Sequence, residues 1–214
     1  TPSVAAGRVY TVGKSGHVFG LDAATGKVIW QRHLVDELKL KKPEWGFSSS
    51  PVVENGRVYL NAGSHGVALV AATGRDVCIS GPEAAAYATP IFLGDGADRA
   101  LVFLTHRELV GVDPADGRKR WSVPWKSAYD TSAPDVMAQG NRFVVSSYDQ
   151  PATLFTLGKG APERGWKSSE LLIHLSPGVV VNGSLFAFAS RPDRGGGTFK
   201  CLDFYTGEMK WSAA

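Results

Sequence analysis

An all-β chain of repeated four-stranded units, arranged as the blades of a β-propeller, is predicted by three features of this sequence. One turn phrase recurs four times, as "GLDAATGKVIW" from Gly20, "ALVAATGRDVCI" from Ala68, "GVDPADGRKRW" from Gly111 and "CLDFYTGEMKW" from Cys201. A small residue followed by Pro recurs at Thr1-Pro2, Ser50-Pro51, Thr89-Pro90, Ala133-Pro134 and Ser176-Pro177, with the prolines 49, 39, 44 and 43 residues apart. Between these marks lie short apolar runs broken by glycine turns, a pattern of strands. Four strands per repeat of roughly 40 to 50 residues is the period of a radially arrayed sheet.

Each unit reads as strands A to D. The small-Pro step opens strand A, and a Gly turn such as "ENG" or "VNG" leads into strand B. Asn-Gly between two apolar stretches is hairpin chemistry, because both residues tolerate positive φ. A second hairpin follows, then the Asp-x-x-Thr-Gly turn. Its Asp can accept hydrogen bonds from the turn amides while its Gly lets the chain reverse. Strand D then ends in Trp30, Trp121, Trp166 or Trp211, with Ile79 near that place in the second unit. The indole has a large apolar face to pack against a neighbouring sheet. The blades are expected at about 1–34, 48–80, 87–123, 131–168 and 174–212, one domain over 1–214.

Composition narrows the function classes. Net charge is +3, and the basic residues are spread along the chain, so no nucleic-acid surface is indicated. No apolar run reaches the roughly 18 residues of a membrane span. Cys78 and Cys201, the only cysteines, can build neither a disulfide scaffold nor a multi-cysteine metal site and are expected as buried strand thiols. The sequence carries no Gly-x-Ser-x-Gly elbow, no phosphate-binding Gly-x-x-x-x-Gly-Lys-Ser/Thr loop and no His-Glu-x-x-His. Arg194–Thr198, "RGGGT", reads as a flexible B–C turn of the fifth blade, without the following helix that a phosphate cradle needs.

Topology selects the face on which a site can form. In an antiparallel meander the A–B and C–D turns share one face, and the B–C turns and D-to-A links share the other. The Thr-Gly turns are short and uniform, so function is expected on the second face, where the loops vary. The longest link, His33 to Ser50, carries Lys41, Lys42, Trp45 and Phe47, a cationic and aromatic loop suited to an anionic ligand or a partner. The alternative is a lid in which Trp45 plugs the channel mouth. Trp125, Lys126, Tyr129 and Asp130 join from the third link and His174 from the fourth. His17, His65 and His106 fall near B–C turns, too far apart around a ring to form a metal site, and are expected as exposed turn residues. Asp149 and Asp193 lie near such turns too, and His33 at the end of an outer strand.

The residues resemble a known family. "AAGRVYTVGKSGHVFGLDAATGKVIW" in the first unit, "LDFYTGEMKW" in the fifth and "VDPADGRKRW" in the third are similar to the pyrroloquinoline quinone (PQQ) enzyme-type propeller repeat. The second unit lacks its Asp and Trp, and the fourth has lost the Thr-Gly phrase but keeps Trp166. The repeat occurs in quinoprotein dehydrogenases, in the outer-membrane assembly lipoprotein of the β-barrel machinery and in many uncharacterised bacterial proteins. "KKPEWGFSSSPVV" and "VPWKSAYD" look most like that last group.

The resemblance implies a ring of seven or eight blades, of which these five would be part, with a compact five-bladed ring as the alternative. It also implies a periplasmic, cell-envelope or secreted location. For the dehydrogenases it implies PQQ stacked on a Trp, a disulfide between adjacent cysteines, Ca²⁺ on carboxylate and amide oxygens, and an Asp base. Adjacent cysteines are absent here, and no Glu, Asn and Asp set matches the calcium ligands. The expected function is a non-enzymatic extracytoplasmic scaffold or binding module that presents its B–C/D–A face to a protein or small ligand. The competing reading is a PQQ- and calcium-dependent oxidoreductase of alcohols or sugars.

Overall fold

The computed structural model describes residues 1–190 and 197–213, and Asp193 with Arg194 to Gly196 lie outside them. Five four-stranded antiparallel sheets follow one another along the chain, each a plain meander of neighbouring strands. The first comprises Ser3–Ala5, Arg8–Val12, His17–Asp22 and Val28–His33; the second Val52–Glu54, Arg57–Leu60, Val67–Val70 and Asp76–Ile79. The third comprises Ile91–Leu93, Ala100–Leu104, Glu108–Val112 and Lys119–Pro124; the fourth Met137–Gln139, Arg142–Val145, Ala152–Thr156 and Glu163–Ser168. The fifth comprises Val179–Val181, Ser184–Ser190, Gly197–Asp203 and Met209–Ala213. These are the blades, and the fold is a β-propeller array.

The turns form as their residues dictate. Asn55-Gly56 and Asn182-Gly183 both carry positive φ at two successive positions, the hairpin geometry that matches strand twist. In the C–D turn of blade 1, Asp22 Oδ1 accepts from the amide of Thr25 at 2.8 Å and from its hydroxyl at 2.7 Å. Asp203 does the same for the amides of Tyr205 and Thr206. These bonds favour the charged carboxylate. Hydrogen bonds from Thr25 therefore hold Asp22 below the ordinary carboxylate pKa, and the bond from Lys210 is the leading cause for Asp203. In blade 2, Val70 takes the Asp position, the carboxylate bonds are lost, and Gly74 N–H still donates to Val70 C=O at 2.8 Å.

The core lies between blades. Tyr10, Val18 and Trp30 pack on Val58, Leu60 and Leu69 of blade 2; Met137, Val144 and Leu154 pack on Leu185, Leu202 and Phe204 of blade 5. Each of these two junctions carries the same polar lock. Trp30 Nε1–H donates to the carbonyl of Ala71 at 2.9 Å, and Trp166 Nε1–H to that of Phe204 at 3.0 Å. Ala71 and Phe204 occupy one position, immediately after the first residue of the next blade's C–D turn. Gly74 and Gly207 lie under the indoles, where an added Cβ would stand 2.7 and 2.5 Å from the rings.

The second junction departs from this pattern. Cys78, not Ile79, sits opposite Ala68 in the place where Trp30 sits opposite Gly20. Tyr59 Oη–H at 3.1 Å and Arg57 Nη1–H at 2.6 Å reach the equivalent carbonyl, that of Pro114. Cys78 is half-buried and Cys201 buried, both free thiols. At the ends of the array the lock is open: Trp211 is 44% exposed, and nothing stands within 4 Å of a Cβ placed on Gly26.

Gly26, Gly74 and Gly207 share nearly one φ, +72°, +69° and +75°. Alanine at each therefore carries the same backbone strain, but only the last two press on an indole. Gly26→Ala is expected to lower Tm by about 2–4 °C, and Gly74→Ala or Gly207→Ala by about 5–10 °C. Thermal unfolding followed by circular dichroism checks the difference; equal losses at all three would remove the lock.

Candidate functional site

The link from blade 1 to blade 2 is pinned by its apolar residues. Leu34, Leu40 and Phe47 are buried in the first junction, and Phe47 N–H donates to Lys14 C=O at 3.0 Å. Between these anchors Lys41, Lys42, Glu44 and Trp45 are held outward, with Trp45 61% exposed. The next two links tie into this one. Lys41 N–H donates to Pro82 C=O at 2.9 Å, Tyr87 N–H to Ser132 C=O at 3.2 Å, and Trp45 N–H to Tyr87 Oη at 3.4 Å.

A second chain of bonds runs where the second, third and fourth blades begin. Ser50 N–H donates to Thr89 Oγ1 at 3.2 Å, and Thr89 N–H donates to Asp135 Oδ1 at 2.6 Å.

Three links and two B–C turns thus converge on an open cleft of about 730 Å³. Lys41, Lys42 and Glu44 come from the first link, Glu83 and Tyr87 from the second, and Tyr129 and Asp130 from the third. The B–C turn of blade 3 adds His106 and Arg107. His106 Nδ1 lies 2.9 Å from Asp130 C=O, and its ring meets Tyr87 edge-on at 5.9 Å. Burial is the leading cause that raises the Tyr87 hydroxyl pKa, so it stays a neutral phenol on this wall. Glu108 at the edge is paired with Lys119 of its own blade.

Of the residues expected at the site, the structure brings together Lys41, Lys42, Tyr129 and Asp130, with Trp45 on the adjoining rim. Lys126 is exposed outside the cleft, and His174 packs beyond it on Tyr148 at 5.2 Å. Two expectations are corrected. Phe47 is 5% exposed because it anchors its link in the core. Trp125 is also buried, its Nε1–H donating to Ser147 Oγ at 2.8 Å and its ring set edge-on against Phe155. Trp45 is exposed beside Tyr87, to whose hydroxyl oxygen its N–H donates. Of the turn histidines only His17 is exposed; His65 and His106 are half-buried, and burial lowers the His65 pKa. His17 instead meets His33 across the strands, ring centroids 4.2 Å apart. Asp149 caps the Tyr129 segment, accepting from Ala128 N–H at 2.9 Å. Glu44, Glu83, Tyr87 and Arg107 escaped the sequence reading, although the topology that places B–C turns and links together could have found them.

The family model described as outer membrane protein assembly factor BamB matches residues 1–213. The chain belongs to that family. Among solved structures it is similar to BamB from Moraxella catarrhalis, with 16% identity and a TM-score of 0.70 over 97% of this chain and 61% of that one. It is also similar to a europium-containing methanol dehydrogenase, 12% identical with a TM-score of 0.69 over 99% of this chain and 61% of that one. A quinohemoprotein alcohol dehydrogenase from Comamonas testosteroni is 15% identical with a TM-score of 0.68, over 99% and 42%. At these identities the likeness is one of fold. The chain spans about 61% of the length of the first two. No curated protein matches the sequence.

The dehydrogenase fold brings PQQ and a metal ion into question, and the side chains present do not fit them. Among the described residues no group of three or more His, Cys, Asp or Glu could hold a metal ion. The two cysteines stand in blades 2 and 5, and every Trp but Trp45 is placed in a junction, the core or the outer face of blade 5. No helix among the described residues is long and apolar enough to cross a membrane.

Asp135 behind the cleft yields a test. Burial raises its pKa, outweighing the bond from Thr89. A carboxyl raised in the folded state contributes stability below its unfolded pKa and loses it as pH rises through the folded value. Asp135→Asn keeps an oxygen for Thr89 N–H and cannot ionise. Its Tm is expected to match the wild type near pH 3 and to exceed it by a few degrees at pH 7, read by differential scanning calorimetry.

Proposed function

We propose that this chain is a non-catalytic binding module of the cell envelope, presenting its B–C/D–A face to a protein partner or small ligand. The observation that carries the reading is the cleft itself. Three links, bonded to one another, hold Trp45 and Tyr129 exposed above a floor of charged residues, and exposed aromatics are the anchors by which surfaces bind. A periplasmic or surface location is supported by the family's description as an outer membrane assembly factor. The open lock positions, Trp211 at one end and Gly26 at the other, support a place for these five sheets within a seven- or eight-bladed ring.

Two measurements test the reading. A photo-crosslinking amino acid at Trp45 is expected to give discrete adducts in cells, and the same group at Ala24, on the opposite face, to give none. Titration with PQQ and Ca²⁺, followed by dye-coupled oxidation of alcohols and aldoses, is expected to show no turnover. Equal crosslinking from both faces, or saturable quinone-dependent turnover, would overturn the proposal.

A further inference from the structure

We propose that the cleft between the first three links binds a neutral oligosaccharide, without transforming it. This rests on the reading of this face as a binding surface and names the ligand class. Its volume, about 730 Å³, is that of a small-ligand site. Its charges are balanced: with Glu108 held by Lys119, the cations Lys41, Lys42 and Arg107 face the carboxylates Glu44, Glu83 and Asp130. A polyanion would meet as much repulsion as attraction there, and so would a cation. An apolar ligand would strip water from six charged groups without replacing their hydrogen bonds. Nor does the cleft suit the centre of a protein interface, where charged residues are depleted. Hydroxyl groups, which donate to carboxylates and accept from Lys and Arg, satisfy both signs at once.

The aromatic residues supply the second half of the recognition. Tyr87, His106 and Tyr129 line the same cleft, and Trp45 stands on its rim. The π face of such a ring is negative, and the C–H face of a sugar ring is its positive, apolar complement. Tyr129 is also held in place at a cost. Tyr129 and Asp130 are both left-handed, φ 58° and 53°, a conformation unfavourable for Tyr that persists only where the surroundings enforce it. Here the enforcing contacts are Ala128 N–H on Asp149 and Thr131 Oγ1–H on Ala128 C=O at 2.9 Å. The result is a tyrosine 79% exposed, its ring set beside that of Tyr148 with centroids 6.2 Å apart, on a backbone already fixed for presentation.

The test is calorimetric titration of the 214-residue protein with maltotetraose, cellotetraose and chitotetraose, each to about 10 mM, the millimolar range expected of weak single-site binding. At least one is expected to bind saturably. Tyr129→Ala is expected to weaken it about tenfold and Tyr129→Phe less than threefold, since the ring face and not the hydroxyl makes the contact. Both variants should keep the wild-type Tm, which separates lost binding from lost folding. Absence of binding by all three sugars, or binding indifferent to Tyr129→Ala, would overturn the inference. Protein adducts from Trp45 together with no sugar binding would sink the oligosaccharide alone and leave the binding-module reading standing. Equal crosslinking from the two faces would sink both.

Discussion

Everything in this molecule is built on one contact, the docking of a strand-D side chain onto the C–D turn of the next blade. A four-stranded sheet with two apolar faces cannot remain in water alone, and stacking on its neighbours is what covers them. Hydrophobic burial between blades is not directional. The indole N–H bond from Trp30 to Ala71, or from Trp166 to Phe204, is directional, and it fixes which turn meets which strand. The glycine under the ring is part of the same contact, because any side chain there would occupy the space of the indole. The Thr-Gly phrase is therefore repeated for assembly.

The second junction shows what the lock requires and what it tolerates. With Cys78 in the Trp place, the indole bond is gone, yet the carbonyl of Pro114 is reached by Tyr59 and Arg57 from strand B. The acceptor is kept and so is the tyrosine donor, since Tyr10 also reaches Ala71 C=O at 3.2 Å; Arg57 stands in for the indole. With the C–D turns engaged in docking, the opposite face is left to vary, and its links have done so. They are tied to each other through Pro82, Tyr87 and Ser132 rather than to a common template. The cleft occupies the face that assembly does not constrain.

Five blades, the meander within each and the face that carries the variable loops were legible in the sequence, because they rest on spacing, turn chemistry and a single topological rule. The destinations of individual aromatic residues were not. Phe47 and Trp125 share loops with Lys and Tyr residues, and composition cannot distinguish a link's anchor from its exposed crest. Burial decided both, Phe47 through Leu34 and Leu40, and Trp125 through Phe155 and Ser147. His106 was placed near its B–C turn, but its half-burial was not legible because its partner is a backbone carbonyl, that of Asp130, 24 residues away. The left-handed backbone at Tyr129-Asp130 escaped for a related reason: Asp tolerates that conformation but Tyr does not favour it, and contacts from Asp149 and Thr131 hold the segment there.

Hydrogen exchange at the tryptophan indoles, followed by NMR, tests the docking contact most directly. The Nε1–H groups of Trp30 and Trp166 are expected to be protected by hours, since their release requires a junction to open. Those of Trp45 and Trp211, exposed on the cleft rim and on the outer face of blade 5, are expected to exchange at once. Rapid exchange at Trp30 and Trp166 would contradict the lock, and with it the role of the fourfold phrase in joining blade to blade.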